Sequence, residues 1–256
     1  MMDIPAAAPT RGQACLLAEA EYAALLTMLR GLDDPQWAAP TECAPWSVRD
    51  LVAHLAGAAD EAVHLRVQLR HLRAAKARIG EAEFVDVLNE EQLADRTGRP
   101  YGELLAELTE LAIHAPKARM RTPWFIRRRP LPIEAGGPAG DTLAYLLDVI
   151  YTRDIWMHRI DIARATGCEL VRSEVEDAVV EQVMRDLDRT WTDDPVRIEL
   201  TGRVSGTWSI GGASPTTRIA LDAVAACRLW SGRSDETGLQ PDSPVHNALL
   251  STRLLF

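Results

Sequence analysis

This sequence predicts an α+β protein: an N-terminal antiparallel bundle of four main helices followed by a small C-terminal α/β domain. Three observations carry that prediction. Apolar residues recur at steps of three and four as far as about residue 170. From residue 196 the pattern changes to short alternating runs separated by glycine. Near the end of the first region, one helical stripe turns ionisable partway along, which a core-facing stripe does only with partners. The bundle is placed at residues 1–170 and the C-terminal domain at residues 171–256.

Residues 1–12 are rich in Ala and Pro and read as a disordered start. Residues 13–31 form the first helix, through Leu16, Leu17, Tyr22, Leu25, Leu26 and Leu29. A loop with Pro35, Pro40 and Pro45 follows. Ser47-Val-Arg-Asp50 reads as a capping box that opens a long helix to about Arg78, with the stripe Val48, Leu51, Val52, Leu55 and Ala59. His54 lies on the edge of that stripe, and residues 81–96 read as one short helix. Pro100 introduces another, to about Ala118.

Residues 121–140 form a connection with four prolines, Trp124, Phe125 and the run Arg127–Arg129, long enough to suggest a lid, although such runs are more often solvated. The central helix then starts near Asp141 and ends at Gly167, a left-handed stop. In the C-terminal domain a helix from Ser173 to about Trp191 precedes strands at 196–200, 207–210 and 217–221. Asp222 caps a last helix, 223–230.

Composition narrows the function. A net charge of −9 argues against nucleic acid as the main partner. No window of the sequence reads as a membrane span, and the N-terminus lacks the apolar core of a signal peptide. Four scattered cysteines form no disulfide framework, so a reducing cytoplasm is the expected compartment, for a monomer or homodimer.

The chemistry concentrates in the central helix. Its stripe Leu143, Leu147, Ile150 continues at the same steps to Asp154, His158 and Asp161. Asp154 and His158 share one face, one turn apart, and a third ligand, His54, is available from another helix. Two His and one carboxylate leave positions open on a metal ion. On spacing alone, an Asp–His pair of this kind is more often a hydrogen-bonded pair on a helix face. Asp161 is placed to orient a ligand His. Arg153 and Arg159 are expected to point away into outside ion pairs. His64 and His71 read as a surface pair.

The stretch Trp46-Ser-Val-Arg-Asp-Leu-Val-Ala-His-Leu55, followed by Asp154-x-x-x-His-Arg-x-Asp-Ile-Ala163, resembles the mycothiol-dependent maleylpyruvate isomerase family, within the DinB-like metal-binding bundles. The C-terminal region, with Thr207–Gly212 and Leu229–Arg233, resembles that family's small sterol-carrier-like domain more loosely. The resemblance implies a divalent ion, typically Zn2+, held by His54, Asp154 and His158. The acid in the isomerase is Glu, so Asp here is one methylene shorter. It also implies mycothiol as thiol cosubstrate and a small electrophilic substrate. In the isomerase the thiolate adds to a cis double bond, the carbon–carbon bond rotates and the thiol leaves; other members transfer the thiol instead.

A diacid substrate calls for bidentate Arg, for which Arg233 is the candidate. Arg228 reads more readily as a solvated surface residue. Two rivals share the pattern: a non-haem iron enzyme on the same triad of two histidines and a carboxylate, and a non-catalytic binding bundle.

Overall fold

The structure is a computed structural model that describes residues 7–78, 80, 83–131, 141–233 and 236–256. Its fold class is α+β. Its contacts divide the chain into two compact units, Thr10–Ile133 with Thr142–Ser173, and a second built on Glu174–Phe256.

In the first unit, α1 (Arg11–Leu29) opens on a Thr10/Gln13 capping box. The proline-punctuated loop holds one short helix, α2 (Asp34–Trp37). α3 (Val48–Val63) begins with the expected box: Ser47 accepts from the Asp50 amide, and the Asp50 carboxylate accepts from the Ser47 N–H at 2.9 Å. Eleven of the sixteen residues of α3 are buried, including every one from Leu51 to Ala59, where four alanines and Gly57 let neighbours approach closely.

The long helix expected to reach Arg78 is broken. His64 is extended, with φ −116° and ψ 96°, and separates α3 from α4 (Leu65–Ala77). Its N–H still closes the last helical bond of α3, to the Asp60 carbonyl, and its ring reaches the Asp60 carboxylate at 2.5 Å, which anchors the helix end where the backbone turns out. No Gly or Pro marks this break, which is why the sequence pattern runs through it.

α5 (Phe84–Ala94), α6 (Tyr101–Arg121) and the short α7 (Trp124–Arg127) follow. α1, α6, α3 and α9 (Tyr151–Thr166) touch in a closed ring, and the hairpin of α4 and α5 packs on α3. Tyr22, Leu25, Leu29, Leu51, Leu55, Leu104, Leu108, Ile155 and Ile162 fill the core between them.

Gly57 is where α5 comes closest to α3. A Cβ there would lie 2.4 Å from Cβ and 2.6 Å from Cγ of Gln92, and 3.1 Å from its Cα. Gly57→Ala is therefore expected to destabilise the fold by about 1–3 kcal/mol by overpacking, despite alanine's better helix propensity. Urea unfolding measures this, and a stabilised variant would contradict the close approach.

The central helix also departs from one regular run. α8 (Leu143–Tyr145) passes into a π-helical turn, Leu146–Ile150, before α9. The Tyr151 N–H bonds the Leu146 carbonyl, five residues back. The extra residue turns the upstream face by roughly 100°. Tyr145, Val149 and Ile150 are buried, while Leu143 and Leu147 are only half-buried. Downstream, α9 keeps the phase of Ile150, so Asp154, His158 and Asp161 stay on one face. It stops at Gly167, with φ +68°.

Arg127, expected in a solvated run, is buried: it donates to the Arg119 carbonyl at 3.0 Å and pairs with Asp148. Trp124 and Phe125 are exposed, edge to face at 6.2 Å. The rest of the lid expectation falls on residues 132–140, which lie outside the described residues.

In the second unit, α10 (Glu176–Thr190) precedes β1 (Val196–Thr201), β2 (Gly206–Ile210) and β3 (Thr217–Asp222), in the order β2-β1-β3. β1 pairs antiparallel with β2, Ile198 opposite Trp208, and parallel with β3, Ile198 beside Ile219. Alternate residues Val196, Ile198, Leu200, Trp208, Ile210, Ile219 and Leu221 face its core. α11 (Ala223–Trp230) starts on the Asp222 cap, as expected. A further helix, α12 (Pro244–Ser251), was not anticipated, although Ser243 followed by Pro244 is a start signal. No described helix is long and apolar enough to cross a membrane.

Candidate metal centre

Three side chains from two helices converge in the bundle. His54, in the second turn of α3, places Nε2 3.4 Å from Asp154 Oδ2. His158, one turn after Asp154 on α9, places Nε2 3.2 Å from the other carboxylate oxygen, Oδ1. The two imidazoles meet edge to face with centroids 5.4 Å apart. One donor atom from each of the three residues lies within 4.8 Å of the others. Both histidine rings are almost wholly enclosed, and Asp154, 18% exposed, is the most open of the three.

Each histidine is held from behind. The Asp161 carboxylate lies 2.9 Å from His158 Nδ1. A carboxylate only accepts, so Nδ1 carries the proton and Nε2 points at Asp154. His54 Nδ1 lies 2.7 Å from Gln92 Oε1, and the Trp46 ring leans on the imidazole at 5.3 Å. Cys43, in the loop before α3, brings Sγ within 3.4 Å of Asp161 Oδ2 and forms with His158 and Asp161 a second close group.

The electrostatics follow from this geometry. Burial alone would raise the Asp154 carboxyl, but His158 and then His54 outweigh it and hold the group well below the usual range. Burial alone would lower His158; Asp154, and then Asp161, outweigh it and raise the imidazole well above 6.5. A positive charge is thus favoured between His158 Nε2 and Asp154, where a proton and a divalent cation compete. Two imidazole nitrogens and a carboxylate oxygen form a donor set suited to zinc. The residues fit such an ion.

Other expectations resolve differently. Arg153 and Arg159 avoid the ligand face, but both are buried, not outside. Arg159 pairs with Glu21 of α1, and each side chain is 0% exposed. Arg228 is likewise fully buried, with Nε 4.0 Å from Glu236, and is no surface residue. Arg233 belongs to the C-terminal unit, where Nη1 donates to Ser231 Oγ at 2.9 Å.

His71 is not half of a surface pair. It is fully buried, with Nδ1 2.7 Å from Glu61 and Nε2 3.1 Å from Asp95. Glu61 and Gln92 were missed by sequence reasoning; Glu61, two turns after His54 on the same face, carried the one usable signal. Tyr151, one turn before Asp154, was missed too. Its ring lies 3.9 Å beneath Arg119, and burial, then Glu61, push its phenol above the usual 10.

The family model of the mycothiol maleylpyruvate isomerase N-terminal domain matches residues 18–163, more than half of the chain and all three converging residues. No curated protein matches the sequence. Among solved structures, the mycothiol-dependent maleylpyruvate isomerase is similar in fold, with TM-score 0.58 and 15% identity over 92% of this chain and 97% of that one. A histidine-to-alanine mutant of that isomerase aligns over the same shares at TM-score 0.55 and 14% identity. The chain therefore belongs to the family of the mycothiol maleylpyruvate isomerase N-terminal domain.

Proposed function

We propose that this protein is a metal-dependent enzyme that uses a low-molecular-weight thiol, mycothiol by its family, on a small electrophilic substrate. The reaction is a maleylpyruvate isomerase-like isomerisation or a transfer of the thiol. The observation that carries this reading is the grouping of one donor atom each from His54, Asp154 and His158 within 4.8 Å of one another. His54, Asp154 and His158 would hold the divalent ion, zinc by the donor set. Such an ion supplies the positive charge that keeps a thiol ionised at neutral pH. Asp161 keeps the His158 lone pair aimed at the centre, and Trp46 packs on the His54 ring. Arg233 is proposed for the substrate carboxylate.

Incubation with mycothiol and a panel of activated alkenes and other electrophiles, followed by mass spectrometry, tests the reading. Thiol-dependent isomerised product or thiol adduct is expected. Bound zinc without thiol-dependent turnover would reduce the protein to a metal-binding bundle, and bound iron with oxygen-dependent turnover would replace the reading.

Asp154→Asn keeps the shape of the side chain and removes its charge. It is expected to weaken zinc binding while leaving the fold intact, as measured by competition with a chelating dye. Unchanged affinity would remove Asp154 from the centre.

The pH dependence has a definite sign. His158 is raised in the folded protein, so its contribution to the stability of the metal-free chain is complete below 6.5 and is lost as pH climbs through the raised value. Zinc must displace that proton, so its binding weakens as pH falls. Added zinc should raise the melting temperature more at pH 8 than at pH 6, and a larger rise at pH 6 would contradict this assignment.

A further inference from the structure

Behind His54 runs a buried chain of hydrogen bonds that reaches another helix pair. Its direction is fixed by its acids. Glu61 accepts from His71 Nδ1 at 2.7 Å and from Gln92 Nε2 at 2.9 Å, both at the same oxygen, Oε1. A carboxylate has nothing to donate, so the Gln92 amide nitrogen must face Glu61. The Gln92 carbonyl oxygen is then left for His54 Nδ1, 2.7 Å away. An amide oxygen also only accepts, so His54 Nδ1 must carry the proton. In the neutral ring the lone pair then belongs to Nε2, the atom 3.4 Å from Asp154 that an ion would take.

The whole chain is enclosed: Gln92 is 4% exposed, Glu61 7% and His71 0%. His71 is anchored in turn by Asp95, and its imidazole is raised above 6.5, first by the bond to Glu61. Gln92 can reach across only because Gly57 has no side chain in its path.

We propose that Gln92, oriented by Glu61, is a positioning residue that sets the tautomer of His54 and so presents its Nε2 to the metal centre. The metal part rests on the function proposed above; the tautomer part does not. Without Gln92, a neutral His54 is free to move its proton to Nε2, where it would be shared with Asp154 and would close the donor that an ion needs. Residues behind a metal-binding histidine typically change affinity by roughly 10–100-fold.

The test uses the full chain in three forms: wild type, Gln92→Leu, and the exchange Glu61→Gln with Gln92→Glu. In the exchanged pair, the amide at 61 turns so that its oxygen accepts from His71 and its nitrogen donates to Glu at 92, which accepts from His54 Nδ1. Nitrogen chemical shifts of the labelled, metal-free protein report the His54 tautomer, with His54→Ala assigning the signal. Zinc affinity is measured on the same samples.

Wild type and the exchanged pair are expected to hold the Nδ1–H form. Gln92→Leu is expected to lose it and to bind zinc about 10–100-fold more weakly. An unchanged tautomer in Gln92→Leu overturns the proposal. So does an exchanged pair that behaves like Gln92→Leu, which also covers the case where the leucine variant merely loosens the fold. A wild type with the Nδ1–H form but no zinc affinity would overturn the metal reading alone, and would support the positioning of His54 as it stands.

Discussion

His158→Ala is expected to abolish retention of the divalent ion, which wild type should hold at about one per chain. Few donors are available to such an ion. His54, Asp154 and His158 are the three that converge, and His158 is the one oriented by a buried carboxylate, Asp161, 0% exposed and 2.9 Å away. Removing it leaves one imidazole and one carboxylate, too few to compete with water and buffer. It also takes the imidazole away from Asp161. The loss should exceed the roughly 10–100-fold that changes behind a ligand produce. Elemental analysis after zinc loading and desalting measures the ion, and thermal unfolding with and without zinc measures the coupling. His114→Ala, at an exposed position on α6, is the control and should bind as wild type. Full retention of zinc in His158→Ala would place the ion elsewhere, with the Cys43, His158 and Asp161 group excluded by the same result.

Arg159→Met should cost the fold about 3–5 kcal/mol, the usual loss when one partner of a buried ion pair is removed. Arg159 and Glu21 tie α9 to α1 with side chains that are both 0% exposed, and Arg159 also donates to the Val171 carbonyl after the end of α9. Methionine fills much of the arginine stem but leaves the Glu21 carboxylate buried with the guanidinium gone. The double substitution Arg159→Met with Glu21→Met removes both charges and should recover a large part of the loss, since a buried pair barely repays its own desolvation. Chemical denaturation of the four proteins forms a thermodynamic cycle. Additive losses in the double variant would mean that the two residues do not act as a pair. Zinc affinity should change little in either variant, because Arg159 lies off the ligand face.

These two expectations differ in how readily the sequence exposes them. The inward Asp154/His158 pair was legible, because a helical stripe that turns from Ile150 to Asp154 and His158 violates the rule that core faces are apolar. The strands and the Asp222 cap were legible too, since alternation and capping depend on residues within a few positions of each other. The break at His64 and the π turn at Leu146–Ile150 leave no Gly or Pro behind, so the pattern runs through both.

By itself, the sequence determined the α+β class, most of the helices and strands, and an inward Asp154/His158 pair with His54 available on another helix. Only the tertiary structure decided that these three meet, that Arg127, Arg159 and Arg228 are buried, and that Glu61, Gln92 and His71 stand behind His54. The physical reason is range. Periodicity reports which face of a segment avoids water, but a buried charge or amide is stable only through a partner, and those partners lie 138 residues apart in Glu21–Arg159 and 38 in His54–Gln92. Which side chains pair across such distances is set by how helices approach, down to the missing Cβ of Gly57, and no local pattern records that.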